Sequence, residues 1–302
     1  MKFDFGDVLT RMVKIGWNHK VLWLWQLLPG VVSLVLLPLF ILANPGFLMM
    51  MPEPFSDFAD EPWMLFVFMG AMFVFIFLTM FAQVFAQLTT TYGAIKVEKG
   101  TERIGFRELF HESLPYFWRV FGLYAIFVGG WMVIYFAFVM VFFAGSMLTM
   151  GLASLCLMPI FFLFIPIMIV GFSVLELAQA AIITDDMPLM SAISRGWNLF
   201  RANWLGVVLL MIVLYFGMSM ISSLFIFPLM FPMMFLQFGM IESQGDPSTM
   251  MLIFFLVFFP LLFIVSYAVQ GILMAFFQSA WAALYLRIHQ GTEDQVVFSQ
   301  PQ

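Results

Sequence analysis

Residues 63–88 read WMLFVFMGAMFVFIFLTMFAQVFAQL, 26 residues without a charge. As a helix rising 1.5 Å per residue this run is about 39 Å long, more than the roughly 30 Å hydrocarbon core of a bilayer. Its flanks differ. The preceding segment Asn44–Pro62 holds Glu53, Asp57, Asp60 and Glu61 and no basic residue, whereas Lys96, Lys99, Arg103 and Arg107 follow. An apolar run with acids on one side and bases on the other reads as a membrane span whose basic end is cytoplasmic.

The pattern recurs along the chain. Six apolar segments stand out: Val21–Ala43, Trp63–Leu88, Val120–Ala144, Leu152–Ile183, Leu205–Phe235 and Met251–Leu286. Each is expected to be helical, because a chain in lipid satisfies its backbone hydrogen bonds within the segment. The surplus length of several is expected to be taken up by tilt, or by kinks at Pro159, Pro166, Pro228, Pro232 and Pro260. With six spans, all 12 Lys and Arg fall before span one, between spans two and three, between four and five, or after six. The other three loops contain none, and two of them hold acids, Glu242 and Asp246 joining those of the first. Composition agrees: of 302 residues, 64% are apolar and 10% charged. A water-soluble domain is nearer half apolar and a quarter charged, so the excess here must face lipid. The apolar run at Val21–Ala43 is longer than a signal-peptide core, and is expected to remain as a span.

The expected fold is therefore an all-α integral membrane protein with both ends in the cytoplasm. Its six transmembrane helices form three tandem hairpin repeats, each preceded by an amphipathic interfacial helix. The single polytopic domain covers 1–293, with repeat units 1–100, 101–187 and 188–293, and 294–302 is a short cytoplasmic tail. The three amphipathic segments define the units. Phe5, Val8, Leu9, Met12 and Val13 oppose Thr10, Arg11 and Lys14; Phe106, Leu109, Phe110, Leu114 and Phe117 oppose Arg107, Glu108, His111 and Glu112. Leu189, Met190, Ile193, Trp197 and Phe200 oppose Ser191, Ser194, Arg195 and Arg201, with Asp185 or Asp186 as a candidate cap and Pro188 in the first turn. Helices of this kind lie in the membrane interface, bases toward anionic headgroups. The interfacial anchors are Arg11, Lys14, Arg107, Arg195 and Arg201, with Trp17, Trp118, Trp197 and Trp204 at the junctions. The plainer reading is a cytoplasmic helix packed on the spans. Gly16-Trp17-Asn18 recurs as Gly196-Trp197-Asn198, and Gly100-Thr101-Glu102 as Gly291-Thr292-Glu293, at equivalent points of units one and three. Gly129-Gly130 and Ala178, Ala180 and Ala181 are candidates for close helix contact.

The string from Arg195 to Trp204, RGWNLFRANW, followed by an apolar run, resembles a signature of the multi-pass domain found beside bacterial glycerophosphodiester phosphodiesterases, and of related uncharacterised bacterial membrane families. In those families a small, an aromatic and a basic residue precede a span in this way. The resemblance is close over Asp185 to about Val213. The phosphodiesterase chemistry belongs to a separate soluble domain, so what the resemblance implies is a membrane module of the bacterial cytoplasmic (inner) membrane without catalytic residues.

Chemistry-bearing clusters are few. No catalytic triad, cofactor motif or metal-ligand spacing is legible, and no cofactor is implied. His19, His111 and His289 sit one per unit at the basic boundary but at different points, so interfacial histidine is a plainer reading than a shared metal site or pH sensor. Met49-Met50-Met51 with Met230, Met233 and Met234 could supply soft thioethers to copper, but methionine is also general apolar filler here, at 27 residues. Asp57, Asp60 and Glu61 could hold a divalent cation or simply be a solvated acidic loop. Cys156 lies a membrane away from every His, which excludes a Cys–His pair. Bases are too scattered for nucleic acid, and membrane lipids are the expected partners, with other membrane proteins second.

One acid remains. Glu176 lies nine residues before Asp185, about 13 Å deep, and no span contains Lys or Arg. A carboxylate there must be offset by hydrogen bonds or by taking up a proton. Gln179 is one turn away, and Gln83, Gln87, Gln270 and Gln278 fall at comparable levels on spans two and six, so these six form the candidate intramembrane polar site. The matching positions in the other units are Val84 and Ala275, which makes the site asymmetric. Two functions compete: a non-enzymatic scaffold, assembly or lipid-organising module, and a transporter or export permease for a small or amphipathic solute. An enzyme acting on lipid lacks its acid, base and metal.

Overall fold

The computed structural model describes residues 5–44, 61–149, 151–242 and 258–298. Of these, 92% are helical and none is in a strand. The helices are α1 (Phe5–Asn18), α2 (Val21–Gln26), α3 (Leu28–Leu42), α4 (Pro62–Glu98), α5 (Phe106–Ser113), α6 (Phe117–Leu148), α7 (Leu152–Asp185), α8 (Leu189–Ala202), α9 (Trp204–Glu242) and α10 (Phe259–Phe298). Six stretches among them are long and apolar enough to cross a membrane. The chain is an all-α multi-pass membrane protein. The expected spans are found, with differences at several ends: α9 runs to Glu242, past Phe235, and α10 to Phe298, past Leu286 and into the segment expected as a tail. The first span is broken at Leu27, because Pro29 has no N–H to give the preceding turn. The second continues as helix ten residues past Leu88.

The chain divides into two compact units. The first comprises Met1–Asn18, Thr91–Phe216 and Phe277–Gln302. In it α7 packs against α6 and α8. From Ser173 to Ile183 every residue of α7 is buried. The α8 contact depends on Gly196, where a Cβ would lie 2.9 Å from the Val174 carbonyl oxygen and 3.0 Å from the Ala178 nitrogen. Ala178, Ala180 and Ala181 are fully buried, as small residues at helix interfaces in lipid should be. Gly129 and Gly130 are not at such a contact: a Cβ on either would meet nothing within 4 Å.

The basic ends of this unit are tied by ion pairs. Lys96 pairs with Glu108 and, at 2.7 Å, with Glu112; Arg119 meets Asp186 at 2.6 Å; Arg11 meets Glu98 at 3.8 Å; and Arg287 pairs with Asp7. Neither Asp185 nor Asp186 caps α8. Pro188 occupies the cap position without a side-chain hydrogen bond, and Asp186 adopts a left-handed φ of 49° as it turns toward Arg119.

The second unit comprises His19–Thr90 and Gly217–Phe276. Gly30 abuts the Tyr267 ring, and Ser33 Oγ lies 3.0 Å from the Tyr267 hydroxyl. The Gln26 side chain donates to the Ala86 carbonyl at 3.3 Å and to Thr90 Oγ1 at 3.0 Å. Toward its start α4 bares an apolar surface, with Phe66 and Phe73 about 70% exposed.

The amphipathic helices form, but each divides its apolar residues between two surroundings. In α1, Val8 and Ile15 are buried while Val13, expected on the same face, is exposed. In α5, Leu109 is buried and Phe106 and Phe110 are exposed. In α8 the buried stripe is Ala192, Gly196, Leu199 and Phe200, and Met190 and Trp197 point outward. The repeated tripeptides also differ locally. Gly100 ends α4 at a φ of 103°, while Gly291 lies within α10.

Candidate functional site

Glu176 and Gln179 stand three residues apart on α7 and so share a face. That face turns into the first unit, where both are buried. A single directed chain of hydrogen bonds joins them to three other spans. The Tyr124 hydroxyl of α6 donates to Gln179 Oε1 at 2.8 Å. Gln179 Nε2 donates to Thr91 Oγ1 of α4 at 2.8 Å. Thr91 Oγ1 donates to Gln278 Oε1 of α10 at 2.7 Å. Gln278 Nε2 donates to Glu176 Oε1 at 3.3 Å. Each internal member uses one acceptor and one donor, and all five side chains are buried. The remaining carboxyl oxygen, Glu176 Oε2, is buried without a hydrogen-bond partner among the described residues. No ion pair among the described residues involves Glu176.

Chemically, this arrangement can hold four helices at one level and offer one more acceptor at Oε2. It is poorly suited to conducting protons, because two of its links are amides, which pass on a hydrogen bond but hold their own N–H protons. Of the six expected members the structure joins three: Glu176, Gln179 and Gln278. Gln83, Gln87 and Gln270 belong to the other unit; Gln83 is half-buried, Gln87 buried, and Gln270 exposed, 3.5 Å from Ser222 Oγ. Thr91 and Tyr124 were not expected. Thr91 carried a usable signal, one turn after Gln87 on α4.

The expected anchors separate into two sets. Trp17, Trp118, Trp197 and Trp204 are 47–71% exposed. Lys14, Arg107 and Arg201 are exposed and make no ion pair among the described residues. Arg11 is exposed and engaged with Glu98. Arg195 differs: its guanidinium turns inward to His289 Nδ1, at 3.2 Å. An Arg can only donate, so this histidine nitrogen accepts and the proton of the neutral ring sits on Nε2, which faces Asp185 at 3.9 Å. Tyr285 donates to the other Asp185 oxygen at 2.7 Å and stacks on His289. This knot fastens the ends of α7 and α10 to α8. The other histidines stand elsewhere, His111 exposed on α5 and His19 after α1, where burial lowers its pKa from the usual imidazole range. No group of three or more His, Cys, Asp or Glu among the described residues could hold a metal. Met49–Met51, Asp57 and Asp60 lie outside the described residues.

One cavity lies beside the polar chain. It is a groove of about 660 Å³ between α6 and α7, lined by Tyr124, Trp131 and Phe138 on one side and Phe164, Gly171 and Leu175 on the other. Tyr124 thus belongs to both features, its ring to the groove and its hydroxyl to the chain. Comparison with family models, with curated proteins and with solved structures finds no match for this protein.

Proposed function

We propose that the chain is a non-enzymatic membrane module that organises lipid or scaffolds other membrane proteins, rather than a solute carrier. The observation that supports this is the state of the buried polar groups. In the first unit five of them, from Tyr124 to Glu176 Oε1, are joined in one hydrogen-bonded chain, and the groove beside it is lined by apolar and aromatic side chains. A carrier for a polar solute needs polar groups facing a cavity at mid-membrane. Location in a bacterial cytoplasmic membrane with both termini inside is part of the same proposal. Its support is the confinement of every Lys and Arg to one set of loops, together with the resemblance of the Arg195–Trp204 string to a membrane module. The exposed Trp residues and split apolar faces of α1, α5 and α8 favour seats in the headgroup layer. A threefold repeat draws support from the thrice-used order of short helix, span, loop and span, and the unlike settings of Gly100 and Gly291 count against it.

Glu176 Oε2 favours a second reading, a proton-linked transporter, since an intramembrane acid short of partners is a functional candidate by default. Reconstitution separates the two. Proteoliposomes of the wild-type protein carry no pH-gradient-driven solute or proton flux on the first reading. A flux that Glu176→Gln abolishes, in a variant as stable as the parent, would replace it with the second.

A further inference from the structure

The knot of Arg195, His289, Asp185 and Tyr285 contains one side chain that changes charge near neutral pH. A histidine takes up its second proton between about pH 5 and 8, whereas an arginine stays charged throughout. His289 Nδ1 accepts from the Arg195 guanidinium at 3.2 Å, and the second proton of the ring must go on that same lone pair. A proton there turns an acceptor into a donor and sets two cations face to face. The Arg195 bond and a charged His289 therefore exclude each other.

The groups facing His289 come from each helix of the knot: Arg195 from α8, Asp185 from α7 and Tyr285 from its own helix. Arg195 opposes the second proton. Asp185 favours it, because Nε2 already stands 3.9 Å from Oδ1, within ion-pair range once the ring is charged. Tyr285 is a neutral partner, its hydroxyl held by the other Asp185 oxygen at 2.7 Å and its oxygen also facing Arg195. Asp186 and Arg287, close by in sequence, pair instead with Arg119 and Asp7.

Arg195 has little to hold it inside once His289 is lost. Its Nε is buried without a partner among the described residues. Ser191, Ser194 and Arg201 of the same helix are exposed, and a long cationic side chain swings readily to such a face. We propose that His289 is a proton-operated latch on α8. Neutral, it holds Arg195; protonated, it turns to Asp185 and lets Arg195 go. The tie is present while the ring is neutral and is lost as the pH on that face falls. Gly196 keeps α8 seated on α7, so release means more frequent opening of α8 and not its detachment. Such a latch would operate in a scaffold and in a carrier alike.

The test is hydrogen–deuterium exchange of the full-length protein in nanodiscs, read by peptide mass spectrometry at about pH 7.5 and about pH 5.5, with exposure times scaled to the intrinsic exchange rate. Protection of α8 should fall roughly fivefold on acidification, the factor for one lost hydrogen bond. Protection of α5, tied to Lys96 through Glu108 and Glu112, should not change. His289→Asn keeps an acceptor where Nδ1 stood and cannot titrate. In that variant α8 should stay protected at both pH values, although His19 and His111 still titrate. If it does not fold, Arg195→Gln serves instead, with α8 loosened at both pH values and no step between them. The proposal is overturned by a wild-type α8 without a step, by equal loosening of α8 and α5, or by a step of full size in either variant.

Discussion

The two halves of α7 lie in one apolar helix and have different surroundings. Among its described residues before Ser173, large side chains such as Phe162, Ile165 and Ile167 are more than half exposed. From Ser173 to Ile183 all are buried, and the composition changes to Ala with a few groups that hydrogen-bond. In water both halves would be driven inside by the same hydrophobic effect. In lipid that drive is absent between helices, and association depends on close approach and on interhelical hydrogen bonds. Small size and amide groups mark the packed half, and bulk marks the half left to the bilayer.

The widest gap between the halves should appear where α8 meets the packed one. Gly196→Leu would force a side chain into the Val174 carbonyl, and we expect a loss of about 3 kcal/mol of unfolding free energy in mixed micelles, or failure to fold. Gly129→Leu, facing open space, should change it by less than about 0.5 kcal/mol. Equal effects would break the comparison. Next comes Gln179→Leu, which removes two links of the buried chain and should cost about 1–2 kcal/mol by the same measurement. A neutral outcome would mean that the chain does not bind the helices together. Arg195→Gln, which unties His289, should cost about 1 kcal/mol, while Arg201→Gln should cost under about 0.5 kcal/mol. The reverse order would restore Arg195 as an anchor. The smallest effect is expected at Ile167→Ala in the exposed half, within about 0.5 kcal/mol. A drop as large as that of Gln179→Leu would show that this half is packed after all.

Helices and spans were legible in the sequence because charge and hydropathy act residue by residue, and lipid leaves the backbone no alternative. Glu176 was legible for the same reason. Thr91 was only half legible: it lies one turn after Gln87, but a threonine hydroxyl in a span usually bonds its own helix, as Thr89 and Thr90 do with the carbonyls of Phe85 and Ala86. Tyr124 was not legible, since nothing in its spacing says which neighbour its long side chain reaches. The inward turn of Arg195 was hidden because its position on the polar face fixes only where the side chain starts. The glycines show the same limit: Gly196 and Gly129 look alike in a sequence and differ in what stands opposite.

The chain from Tyr124 to Glu176 also has a direction. Hydroxyls can rotate and amides can turn over, so the same five side chains admit the opposite pattern, in which a protonated Glu176 donates to Gln278 and the last donor, Gln179, points at the Tyr124 oxygen. Partial reversal would set two donors or two acceptors face to face. The chain therefore reverses as a whole, like a row of dominoes with two resting states. A proton on Glu176 Oε1 therefore goes with a turned Tyr124 hydroxyl, whereas a proton on the unpartnered Oε2 leaves the pattern as it stands.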